Sequence, residues 1–84
     1  MAMAEKDNFE LQSKRIIEAV RELCSTCTVT FDEQRKPNWL KFRIESSDGT
    51  ILTDAYPEYH VSEVADWSDQ KIRQVLKSLT ANKL

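Results

Sequence analysis

Trp39-Leu40-Lys41-Phe42-Arg43-Ile44-Glu45, followed by the turn stretch Ser46-Ser47-Asp48-Gly49-Thr50, decides the fold of this chain. The first seven residues alternate with period two. A strand built from them puts Leu40, Phe42 and Ile44 on one face and Trp39, Lys41, Arg43 and Glu45 on the other. Asp48-Gly49 is turn chemistry, and the residues from Ile51 to Tyr56 supply a returning arm. Residues 38–56 therefore read as a β-hairpin. Its apolar face can build a core. Its other face offers an aromatic and charges to solvent or to a partner.

Two registers fit the hairpin. A two-residue turn at Asp48-Gly49 pairs Ile44 with Thr53 and Phe42 with Ala55, turning Ile51, Thr53 and Ala55 inward. Arg43 then faces Asp54 on the open side, a favourable cross-strand pair. A three-residue turn with Gly49 as a left-handed bulge shifts the pairing by one and turns Leu52, Tyr56 and Asp54 inward. A buried unpaired carboxylate is costly, so the first register is expected.

Upstream of the hairpin, residues 1–6 are expected to be a flexible tail. Asp7 is placed to cap a helix, with Glu10 reaching back. That helix runs to about Cys24 and presents Phe9, Ser13, Ile16, Ile17, Val20, Leu23 and Cys24 on one stripe. Ser25-Thr26 breaks it. Cys27-Thr28-Val29-Thr30-Phe31 alternates as a strand, and a polar loop containing Pro37 leads into the hairpin.

Downstream, Pro57 is expected to end the hairpin. Val61, Val64 and Ala65 suggest a single helical turn or an irregular segment. Ser68 looks like an N-cap, with Trp67 and Ile72 as its hydrophobic staple. The helix that follows carries Ile72, Val75, Leu76 and Leu79 on one stripe, with Lys71, Arg73, Lys77 and Lys83 in water. The expected architecture is α+β, in the order α-β-β-β-α. It is a three-stranded antiparallel sheet with two helices packed on one face, forming a single domain over residues 7–84.

The 84 residues suffice for one domain, and 40% hydrophobic content for one core. No apolar run approaches the ~18 residues of a membrane span. The start, Met-Ala-Met-Ala-Glu-Lys-Asp, has no apolar region of signal-peptide type, so a cytoplasmic location is expected. The net charge of −2 hides segregation. Arg35, Lys36, Lys41 and Arg43 stand in a stretch without acids. Between Glu45 and Asp69 there are seven acids and no Lys or Arg. Such blocks can steer a partner, or serve as ordinary solvated faces.

Three groups of residues invite chemistry. Cys24-Ser25-Thr26-Cys27 has redox spacing, but it falls at a helix C-terminus, where the dipole raises a thiol pKa. Both cysteines fit apolar stripes, and a zinc site would need two further ligands with only His60 as an obvious candidate, so they are expected to pack and to hold no metal. His60 has no activated nucleophile, phosphate cradle or oxyanion nest to work with, so neither an enzyme nor a cofactor is expected. The segment 35–43 interleaves bases with aromatics, the chemistry of gripping phosphates and stacking bases.

In topology, the order helix, three strands, helix resembles the double-stranded-RNA-binding domain. That family sets lysines at the start of its second helix to hold phosphates. Here Ser68-Asp69-Gln70-Lys71 stands there, with Asp66 just before, so the resemblance stops at the order of elements. The leading expectation is a small non-catalytic binding module. It would contact a protein partner, or its own copy, through the open sheet face, using Trp39, Lys41 and Arg43 with Tyr56 beside them. The alternative is a nucleic-acid-binding module with Arg35, Lys36, Lys41 and Arg43 on phosphates and Trp39 stacking.

Overall fold

The computed structural model describes residues 8–53 and 56–84. Its elements are α1 (Phe9–Leu23), β1 (Thr28–Phe31), β2 (Trp39–Glu45), β3 (Glu58–His60), α2 (Val61–Ala65) and α3 (Asp69–Leu79). The class is α+β as expected, with α2 as an additional helix between the sheet and the last helix.

The cap of α1 is Asn8. Its Oδ1 accepts from Glu10 N at 2.7 Å and Leu11 N at 3.3 Å, satisfying helix-start donors that have no partner within the helix. Asp7 and the expected tail, residues 1–6, lie outside the described residues. Helix α1 buries Gln12, Ser13, Ile16, Ala19 and Val20. Ser68 caps α3 as expected, accepting from Lys71 N at 3.1 Å.

The sheet is antiparallel in the order β1-β2-β3. Strand β1 pairs Val29 with Ile44 and Phe31 with Phe42. The returning arm departs from the expected register. Gly49 N donates to Ser46 O at 3.0 Å and Ser46 N to Thr50 O at 2.8 Å, with Gly49 at φ 87°. This is the three-residue turn with a left-handed glycine, whose twist matches the strands it joins. Leu52 N then donates to Ile44 O at 2.8 Å. Leu52 packs on the core, while Ile51 stays 48% exposed.

Among the described residues, the paired rungs that follow the bridge between Glu45 and Ile51 start where Lys41 meets Glu58. Strand β2 advances four residues over that interval and the returning chain seven. Among the described residues the third strand is Glu58–His60, while Ile51 on the expected returning arm makes an isolated bridge. Pro57, expected to end the hairpin, instead leads into β3, and its carbonyl accepts from Phe42 N at 3.2 Å. Asp54 and Ala55, which the expected register had placed, lie outside the described residues.

One core unites the elements. Leu40, Phe42 and Ile44 are 0–1% exposed and meet Ile16, Val20, Val61, Val64, Ile72 and Leu76. The helices therefore cover a single face of the sheet. Arg15 fastens α1 to the other two. Its guanidinium donates to Gln12 Oε1 at 2.8 Å, Val64 O at 3.2 Å and Trp67 O at 2.6 Å, and meets Asp69 Oδ1 at 3.1 Å. It satisfies carbonyls at the end of α2 and bonds a carboxylate at the start of α3.

Candidate functional site: the open face of the sheet

Alternation along β2 sends Trp39, Lys41, Arg43 and Glu45 away from the helices. Residues directly opposite one another on antiparallel strands share a face. Thr28 and Thr30 therefore join through Glu45 and Arg43, and Glu58 and His60 through Lys41 and Trp39. Asp32 extends β1 by one rung, donating its N–H to Lys41 O at 2.8 Å.

The charges on this face are matched within it. Lys41 Nζ lies 3.4 Å from Asp32 Oδ2, with Glu58 opposite on the other neighbouring strand. Arg43 Nη2 lies 3.6 Å from Glu45 Oε1, and its guanidinium carbon 5.6 Å from the Tyr56 ring centre. The Asp32 carboxyl is held below its ordinary pKa, first by the Gln34 backbone N–H and further by Lys41. At one end of the face the Trp39 and His60 rings meet edge to face, 5.2 Å between centroids. His60 also caps α2: its Nδ1 accepts from Ser62 N at 3.1 Å and contacts Ser62 Oγ at 2.8 Å.

Trp39, Lys41 and Arg43 thus share one face, and Tyr56 stands beside Arg43. Arg35 is elsewhere. Its guanidinium carbon sits 3.7 Å over the Phe9 ring, and Phe9 packs edge-on against Phe31, on the helix side of the sheet. Lys36 is exposed in the loop before β2. The basic segment 35–43 is therefore divided between two sides of the sheet. Sequence reasoning missed Asp32, Glu58 and His60 as members of the face. Asp32 carried a usable signal, since it follows Thr30 by two residues and period two puts both on one side.

The cysteines also depart from expectation. Both are half-exposed, and only Cys27 packs against the core. Cys24 stands at the C-terminal end of α1, yet its pKa is lowered to about 7 by a hydrogen bond with the Cys27 thiol and others from Thr26. These local hydrogen bonds favour the thiolate, the direction opposite to the one expected from the helix end. Cys27 is pushed up to about 11, first by burial and then by Cys24. Among the described residues, no group of three or more His, Cys, Asp or Glu side chains could hold a metal ion. No described helix is long and apolar enough to cross a membrane. Compared with protein-family models, with curated proteins and with solved structures, the chain finds no match.

Proposed function

We propose that this protein is a small, non-catalytic, cytoplasmic binding module that contacts a protein partner, or a second copy of itself, through the open face of its sheet. Trp39, Lys41 and Arg43 form the contact, with Tyr56 at its margin. The observation that carries this reading is the charge matching of the face. Lys41 and Arg43 are paired with Asp32 and Glu45, so the face is a mixed aromatic and charged surface rather than a basic one. Protein interfaces use this chemistry, with aromatic and Arg anchors ringed by polar groups. A phosphate backbone instead draws its affinity from cations free to replace its counterions. Here it would have to displace acids first, and Arg35 is already stacked on Phe9.

The test is amide shift mapping of the labelled protein, first over a concentration series and then with candidate protein partners. Shifts concentrated at Trp39, Lys41, Arg43 and His60, and lost in Trp39→Ala, support the reading. Binding of mixed-sequence oligonucleotides at ~50 mM salt, with shifts along residues 35–43, would replace it with the nucleic-acid alternative.

A further inference from the structure

Residues 24–27 make a tight turn between α1 and β1. Cys27 N donates to Cys24 O at 3.2 Å, closing the turn over Ser25 and Thr26. Such a turn holds its first and last Cα atoms within ~7 Å, and a disulfide spans ~4.4–6.8 Å. Both ends are anchored in regular structure. Cys24 N donates to Val20 O at 2.7 Å as α1 ends, and Thr28 pairs with Glu45 as β1 begins. Cys24 Sγ lies 3.5 Å from Thr26 Oγ1, and both cysteines are half-exposed.

We propose that Cys24 and Cys27 form a thiol–disulfide pair, oxidised to an intramolecular disulfide by exchange with a small-molecule disulfide such as glutathione disulfide. The Cys24 thiolate attacks one sulfur of the small disulfide. A Cys24–sulfur bond forms, the disulfide bond breaks, and one glutathione thiolate leaves. Cys27 then loses its proton to that thiolate and attacks Cys24 Sγ, expelling the second glutathione as thiolate. The protein gives up two electrons from its two thiols, and the small disulfide is reduced to two thiol-level products.

The roles are assigned by environment. Hydrogen bonds from Cys27 and Thr26 stabilise the Cys24 thiolate, with a pKa of about 7, whereas burial first and Cys24 second keep Cys27 protonated. Once Cys24 carries glutathione its negative charge is gone, which lowers the barrier to ionising Cys27 for the second step. This site lies apart from the open sheet face, so the two proposals stand or fall separately.

The experiment exposes the reduced full chain to glutathione buffers of rising disulfide fraction. It is read by intact mass and by counting alkylatable thiols. The wild type is expected to lose two hydrogens and both thiols together. Cys27→Ser stops at a glutathione adduct on Cys24. Cys24→Ser reacts at least ~10-fold more slowly at neutral pH, because the remaining thiol is mostly protonated. The alkylation rate of Cys24 rises through about pH 7. Two wild-type results overturn the proposal: both thiols free across all the buffers, or an accumulated glutathione adduct without ring closure.

Discussion

The two faces of β2 are built from alternate residues of one strand, yet they obey different rules. Leu40, Phe42 and Ile44 are 0–1% exposed and packed against all three helices' apolar residues. No titratable side chain is among the buried residues described. Trp39, Lys41, Arg43 and Glu45, one step out of phase, are half-exposed and joined by edge-on rings and ion pairs. The inner face gains free energy from excluded water and close packing. The outer face gains little from its screened pairs, so its residues are free to serve recognition. Fold and the proposed contact should thus be separable by single substitutions.

The strongest way to break that separation is Phe42→Ala. Phe42 is 1% exposed and its ring lies 5.8 Å from that of Phe31. Its loss should cost ~3–5 kcal/mol, a large share of the stability of a domain this size. Chemical denaturation measures it. A cost below ~1 kcal/mol would mean the inner face is not the centre of the core.

Next comes Arg15→Met, which keeps the apolar stem but removes the guanidinium. The carbonyls of Val64 and Trp67 lose their donor. The expected cost is ~2 kcal/mol, because charge-assisted hydrogen bonds to half-buried groups are worth more than surface pairs. Hydrogen exchange should quicken most in α2, whose end Arg15 holds. Uniform quickening across α1 and the sheet would instead assign Arg15 to the global core.

How legible these features were follows from how local their causes are. The period of β2, the Ser68 cap and the apolar stripe of α3 are written in neighbouring residues, and each took the form its pattern implied. Helix α1 is amphipathic as expected, but it buries Gln12 and Ala19 while Ile17 and Cys24 of the expected stripe stay half-exposed. Strand β3 was not legible. Three residues are too few to show alternation, and Pro57 just before them resembles a stop. It forms where the returning chain meets the start of β2, pairing Glu58 with Lys41, Tyr59 with Leu40 and His60 with Trp39. Arg15 reads as one more base on the wet side of a helix, since the partners that tie it to the other helices lie 49 to 54 residues away. The candidate face was half legible. Its β2 members follow from period two, while Glu58 and His60 depend on the register of the unseen strand.

A smaller effect is expected from Trp39→Ala. The edge-on contact with His60 should be worth about 1 kcal/mol, and the inner face is untouched. Thermal unfolding should therefore shift only slightly, while shifts at His60 and partner binding respond strongly. A stability loss of ~3 kcal/mol or more would place Trp39 in the core and erase the distinction between the faces.

The subtlest comparison uses acid, because protons can act on the outer side and its turn but find nothing to titrate among the described buried residues. Asp48 is held at about 2, against an ordinary 3.8, first by the Ser46 hydroxyl and then by Thr50, whose N–H donates to Oδ1 at 3.0 Å. A carboxyl depressed in the folded state stabilises fully above its ordinary pKa, and that contribution is lost as pH falls through about 2. Asp32 shifts in the same direction, through Gln34 N–H and Lys41. NMR titration should show the 46–50 turn and the Asp32–Lys41 rung responding to acid while the Leu40 and Ile44 methyls stay still. Ser46→Ala should carry the Asp48 midpoint back toward 3.8, because the larger of its two named restraints is gone. A wild-type midpoint already at 3.8 would mean that the side chains of the turn do not hold it. Gly49 alone, with its φ of 87°, would then set the register that gives each face of β2 its partners.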